Sequence, residues 1–317
     1  MIAAVFGVVT AIKSEAIGIP LRDPSGSMFR GRLASMAVLL VVFAVADVTV
    51  RAVRAGFSAR QLAASARERL TARRLALIAG VLLAYQIVYV CYRNLKSWDA
   101  FNTPRDDDLL SLEKSIFFGH SPAVLLHDLL GQDVAAHVLA AIYDSFSSLV
   151  LIAVVASVVF TRQIRDGYVF VTAAAILWIL GVTAYYLVPT IGPFWSAPSE
   201  FAGLDRTAVT SAQEKYVVER AHLLQSPGAG DAFSSLSAFA SLHTAFTFLI
   251  LLSAYIYGLR LLSIVLAVYF AGVVVATIYF GWHFVVDDIA GCALAALALY
   301  LGRLVVYPRG RPRRAVT

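Results

Sequence analysis

Two histidines carry most of the chemistry this sequence offers. His243 stands in Phe239-Ala-Ser241-Leu-His243-Thr-Ala-Phe and His283 in Tyr279-Phe-Gly-Trp-His283-Phe-Val-Val-Asp287-Asp288-Ile-Ala-Gly291, each at the edge of a long apolar run. An ionisable group is costly there unless it has a partner or a task. Asp287 follows His283 by four residues, so a helix beginning there puts both on one face, about one turn apart. A neutral imidazole is a competent nucleophile toward phosphorus, and a carboxylate on its other nitrogen fixes the tautomer and stabilises the imidazolium that forms. Departure of an alkoxide needs a proton, which a second histidine, His243, would supply for a gain of about 10² to 10⁴. Ser241, at the expected start of its helix, either caps that helix or joins the backbone N–H groups there in holding a phosphoryl oxygen. Arg93 and Lys96, a helical turn apart, would hold a lipid phosphate or snorkel as membrane anchors. The two histidines and Asp287 would also suit zinc, but such ligands need no serine-led helix start; neither metal nor cofactor is expected.

The elements that must position these groups are membrane spans. Sixty per cent of the residues are apolar, 15% are charged and the mean hydropathy is +0.77, with several runs of spanning length; a polytopic all-α helical bundle follows. The spans fall at about 33–52, 75–92, 135–160, 168–189, 244–258 and 261–281, with a seventh following the second histidine motif and the transmembrane domain ending at 308. Residues 1–32 read as an interfacial segment, 33–308 as one transmembrane domain and 309–317 as a basic tail. Residues 51–74 carry seven arginines against one acid, Glu68, and Arg303 to Arg314 five arginines and no acid. These mark cytoplasmic segments, and the first of them suits anionic inner-leaflet lipids. With Arg260, Arg162 and Arg165, 15 of the 26 basic residues lie on that side, so the net charge of +6 does not point to nucleic acid. The long loops 93–134 and 196–240 then lie outside. Two crossings separate His243 from His283, which puts both histidines on the extracytoplasmic face of what reads as a multi-pass plasma-membrane protein.

Smaller assignments follow. Asp47 and Asp144, within spans, are expected to hydrogen-bond inside the bundle. Asp288 points about 100° from Asp287 on a helix and reads as a cap or solvent contact. His120 and His127 read as surface residues, and Arg206, Lys215 and Arg220 are further candidate phosphate ligands. Cys91 and Cys292 support neither a disulfide framework nor a thiolate metal cluster.

The motif Ser241-Leu-His243, followed by His283-Phe-Val-Val-Asp287, resembles the second and third motifs of the type 2 phosphatidic acid phosphatase superfamily. Ala238-to-His243 and Thr277-to-Gly291 are most similar to its inositol phosphorylceramide synthase branch, and Pro189-to-Trp195 to the proline- and aromatic-rich segment preceding those motifs. The resemblance implies about seven transmembrane helices around a six-helix core, with His283, His243 and Asp287 catalytic. Three departures stand out. Ala240 replaces a proline, and Ala276-Thr277 replace the serine-arginine of the phosphatase branch. The lysine-led first motif has no clean copy beyond Lys96 with Thr103-Pro104-Arg105. Phosphate would therefore be held by other cations.

Three functions compete. The first is transfer of a phosphoryl head group, phosphoinositol for example, from a membrane lipid donor to a glycan or lipid hydroxyl acceptor. The second is hydrolysis of a lipid phosphate on the same scaffold. The third is a non-enzymatic lipid transporter, which fits least, since no inverted repeat or broken mid-membrane helix is evident. Resemblance to the synthase branch and the missing serine-arginine favour transfer; oligomeric state is not legible.

Overall fold

In a computed structural model, which describes residues 1–310, the chain forms thirteen α-helices and no strand among those residues. Six apolar helices are long enough to cross a membrane, the first including a preceding π turn, Ser27–Gly31. They are α2 (Arg32–Arg54), α4 (Ala72–Trp98), α7 (Val134–Val159), α8 (Ile164–Leu187), α12 (Arg260–Tyr279) and α13 (Val285–Val306). The expected span at 244–258 is α11 (Leu242–Ile256), a helix of only 15 residues. It is about 22 Å long at 1.5 Å per residue, short of the roughly 30 Å of a bilayer core. α11 nevertheless packs against α7, α8, α12 and α13, with Ala245, Phe246 and Leu249 fully buried.

Interhelical bonds show which helix ends lie together. At one end Arg69 donates to the carbonyls of Val159 (2.6 Å) and Thr161 (2.9 Å), Arg165 to Val306 (3.1 Å), and the Tyr257 hydroxyl to the Asp166 carbonyl (3.0 Å). This is the arginine end. At the other, the Tyr186 hydroxyl donates to the Leu95 carbonyl (2.9 Å) and the Ser241 N–H to the Asp287 carbonyl (3.0 Å). Both histidines lie at this second end. Of the basic tail read at 309–317, residues 311–317 lie outside the described residues.

The expected loops are largely helical: α5 (Asp106–Ile116) and α6 (Pro122–Leu130) in the first, α9 (Pro193–Ser196) and α10 (Ala208–Gln225) in the second. α10 begins with a reciprocal cap, the Thr207 and Thr210 side chains each accepting the other's backbone N–H, which satisfies two donors the first turn leaves unpaired. Asp106 pins the turn after α8 by accepting the N–H groups of Ile191 and Gly192 (2.9 and 2.6 Å). α1 (Ile2–Ile17) packs against α4 and buries Phe6 in the main core. Arg22 then ties the chain beyond α1 to the carbonyls of Ala232 and Pro227 (both 2.8 Å). α3 (Ala59–Arg69) covers the arginine end, where Asp47 accepts from Arg51 (3.0 Å) and Arg69 (2.6 Å). Arg69 is thus a buried ion-pair partner and not a lipid-facing cation.

Candidate active site

Residues 232–241 lead into α11, with Ala238 and Ala240 buried; the Phe239–Ala240 peptide is cis. Ser241 caps α11 by accepting the Thr244 N–H (3.4 Å). Its own N–H bonds the Asp287 carbonyl, joining the two histidine motifs directly. The approach is so close that a Cβ on Gly291 would lie 2.4 Å from the Ser241 carbonyl oxygen, so only glycine fits there. The chain turns between α12 and α13 at Gly281, whose φ of +66° favours glycine, and the Gly281 carbonyl accepts the Phe194 N–H (2.9 Å). These contacts set the His243 and His283 ring centroids 6.1 Å apart.

His283 Nδ1 lies 3.4 Å from Asp287 Oδ2. The pair is within ion-pair range but not aligned as a hydrogen bond, and neither Nδ1 nor Asp287 Oδ1 has a hydrogen-bond partner among the described residues. Asp287 Oδ2 accepts the Phe284 N–H (3.0 Å), half of a capping box that fixes the carboxylate at the start of α13. Burial pushes the His283 imidazole down to about 4; Lys96 lowers it further, and Asp288 opposes both. His283 is therefore neutral at physiological pH, with a lone pair available. His243 lies against Tyr143 (4.2 Å, stacked) and Phe146 (4.2 Å), which hold its ring at the cavity wall.

A cavity of about 230 Å³ opens on both histidines. Lys96, Arg93 and Arg32 line it together with Tyr89, Tyr143 and Tyr185. Lys96 Nζ sits 5.1 Å over the Tyr185 ring, the Arg32 guanidinium 4.0 Å over Tyr89, and Arg93 donates to Ser235 Oγ (2.9 Å). The Nε atoms of Arg32 and Arg93 have no partner among the described residues. Beneath them Trp178 packs against Tyr92 (4.3 Å) and Phe246 (4.2 Å) and donates to the Tyr85 hydroxyl (3.0 Å).

Four of the residues singled out in the sequence, His283, His243, Lys96 and Arg93, thus share one cavity. Asp287 stands behind His283. Ser241 is fully buried, absent from the cavity wall and engaged by Thr244, its Oγ donating to Thr244 Oγ1 (3.2 Å). Arg32, the third cavity cation, lies where the expected interfacial segment meets the first span. Asp288 corrects the expectation of a cap or solvent contact: it is buried and accepts from Thr244 (2.5 Å) and Thr277 (3.0 Å). Thr277 stands where the resembling phosphatase branch has arginine. His127, expected at the surface, is buried, its Nε2 2.8 Å from the Tyr279 carbonyl oxygen. Asp144 lines the cavity. Arg206 and Lys215 pair with Glu214 (3.2 Å) and Glu219 (3.6 Å), and Arg220 donates to the Ala100 carbonyl (3.1 Å).

Nothing in the sequence pattern marks Glu113. It reaches from α5 to accept the Val285 N–H (2.7 Å) at the start of α13. Burial, and then the charges of Asp287, Glu200 and Asp288, push its carboxyl up to about 7. The α13 N-terminus that offers this N–H was legible; the helix that reaches it was not.

A family model described as the PAP2 superfamily matches residues 107–301. No curated protein and no solved structure matches the chain.

Proposed function

We propose that this chain, which belongs to the PAP2 superfamily, is a membrane phosphotransferase that moves a phosphoryl head group from a lipid donor to an acceptor hydroxyl through a phosphohistidine. The observation that carries this reading is the convergence of a neutral, buried His283 with Asp287 behind it, His243 6.1 Å away and three cations around one cavity. With Nδ1 turned toward Asp287, His283 Nε2 attacks phosphorus. The N–P bond forms as the donor's P–O bond breaks, and His243 gives its proton to the departing alkoxide. The acceptor oxygen then attacks phosphorus, passes its proton to His243 and releases Nε2. Arg32, Arg93 and Lys96 neutralise the phosphoryl oxygens, the task that positioned cations perform in phosphoryl transfer. Asp287 stabilises the imidazolium of the intermediate.

Membership of the superfamily is equally consistent with hydrolysis, in which water replaces the acceptor. Transfer is favoured by the likeness of the 238–243 and 277–291 motifs to the inositol phosphorylceramide synthase branch, which makes phosphoinositol a reasonable group to test first. The arginine end suits the cytoplasm, which supports a cavity on the extracytoplasmic face of the cell membrane. The deciding experiment supplies purified protein with a phospholipid labelled in its head group. Wild type should acquire acid-labile, alkali-stable label when the acceptor is withheld, and His283→Ala none. Transfer with a chiral phosphorothioate donor should proceed with retention; inversion would overturn the nucleophile assignment. Label appearing only as the free phosphorylated head group, with acceptors present, would establish hydrolysis in place of transfer.

A further inference from the structure

The outer surface of α5 and α6 is divided in a way that contact with water alone does not explain. Asp106 and Glu113 turn into the protein, and a rotation of about 100° per residue then puts Leu109, Leu112 and Ile116 on one flank of α5. Asp107, Ser111, Lys114 and Ser115 fall on the other. Leu112 and Ile116 are exposed on the first flank, and Asp107, Ser111 and Ser115 on the second. A helix with separate buried, apolar and polar faces has the pattern of one lying along a membrane surface. α6 carries the apolar side onward. Its Ala123 and His127 are buried, whereas Leu125 and Leu129, on the opposite side and one turn apart, are exposed, Leu129 at 77%. A helix facing water turns its polar residues outward; here two leucines hold the centre of the outward arc and the exposed Asp128 its edge. Between the two helices Phe118 is 93% exposed at a φ of +54°, a conformation uncommon for so large a side chain. These residues continue the surface that the spans present to lipid. Val134 and Val138, exposed where α7 begins, follow α6 after one short turn. α6 itself packs against α12, with His127 at the carbonyl of Tyr279, the last residue of that span. Exposed apolar surface of this extent marks an interaction site, and its continuity with α7 makes the bilayer the partner.

We propose that α5 and α6 form an interfacial shelf whose Leu112, Ile116, Phe118, Leu125 and Leu129 side chains sit in the lipid leaflet at the histidine end, about 5–10 Å into the boundary between head groups and acyl chains. The consequence reaches the candidate site. From the buried face of α5, Asp106 holds the Ile191–Gly192 turn and Glu113 the start of α13, so the leaflet braces the frame around His283. The test reads depth and not turnover. Full-length protein carrying Phe118→Cys, Leu129→Cys or, on the polar flank, Ser115→Cys is labelled with an environment-sensitive fluorophore and placed singly in phosphatidylcholine nanodiscs. Labelled wild type is the baseline for Cys91 and Cys292. A spin label carried high on the lipid acyl chain should quench emission at positions 118 and 129 at least about twofold more than at 115, as the interfacial depth requires, and aqueous iodide should do the reverse. Equal lipid quenching at all three positions, or iodide reaching 118 and 129 as readily as 115, overturns the proposal. Shielding of 118 and 129 that appears only when a disc holds two copies assigns the face to a second chain and overturns it as well.

Discussion

The two ends of the bundle both bury charge, and they treat it differently. At the arginine end each oxygen of Asp47 takes a guanidinium, and Arg69 Nη2 donates to the Val159 and Thr161 carbonyls at the end of α7. Among the described residues, Thr161 Oγ1 is the one buried side-chain polar atom at that end without a partner. At the histidine end Arg32 Nε, Arg93 Nε, Trp282 Nε1, His283 Nδ1 and Asp287 Oδ1 have none among the described residues, and all five belong to side chains at or directly behind the cavity. A buried polar network that is satisfied locks helices together, whereas one left short of partners is costly and persists where a ligand completes it. The same residue type, arginine, is a structural clamp at one end and a waiting cation at the other.

The largest effect that tests this contrast is kinetic. Asp287→Asn keeps the shape behind His283 and removes the charge, so the rate should fall by about 10⁴, as for triad carboxylates, while the thermal midpoint changes little. Single-turnover kinetics beside a melting curve would check both. A collapse of the fold with the activity would make Asp287 one more clamp. Next comes the reverse case. Arg69→Leu leaves Asp47 half-paired and buried, at a cost of about 3–5 kcal/mol, yet the variant that remains folded should transfer with unchanged kcat. Denaturant titration reads the first quantity and initial rates the second; lost catalysis without lost stability would erase the distinction between the ends.

Smaller is the effect expected for the cavity cations. Arg32→Gln, Arg93→Gln and Lys96→Gln should each lower kcat/KM for the donor by about tenfold or more, equivalent to roughly 1.4 kcal/mol, with melting unchanged to within the scatter of surface substitutions. Three variants with wild-type kinetics would return these side chains to the role of membrane anchors.

What the sequence disclosed and what it withheld divide along the same line. The spans are legible because a bilayer demands long apolar runs, and the shared end of His243 and His283 follows from the parity of two crossings. His283 and Asp287 are legible because four residues is one helical turn. Arg32 was not, since nothing local separates an arginine that snorkels from one folded over Tyr89 into a cavity. Asp288 was read from its angle on an isolated helix, but Thr244 and Thr277 come from two other helices, and only packing brings them to it. His127 was misjudged for the same reason, its partner being a carbonyl 152 residues away. α10 falls inside the expected outer loop 196–240, and the reciprocal Thr207–Thr210 cap that starts it is seen only in the structure.

The smallest expected effect concerns Glu113, which belongs to neither kind of network: it is satisfied by the Val285 N–H yet sits beside Asp287 and Glu200. Its carboxyl, near 7 in the folded protein against an ordinary value near 4.5, binds its proton more tightly when folded. Its contribution to stability is therefore complete below about pH 4.5 and is lost as pH rises through 7. His283 acts in the opposite sense: its value near 4 lies below the ordinary 6.5, so its contribution is present above about pH 6.5 and lost as pH falls toward 4. The two windows overlap, which hides each in the wild-type curve. Glu113→Gln separates them, because the amide oxygen still accepts the Val285 N–H and cannot titrate. Between pH 5 and 8 the thermal midpoint of the wild type should decline relative to that of the variant, and the difference should level off above about pH 8. The same comparison of kcat/KM should show the wild type changing near pH 7 and the variant flat, as the charge next to Asp287 no longer appears. Parallel curves for both proteins, in stability and in rate, would mean that Glu113 does no more than cap a helix.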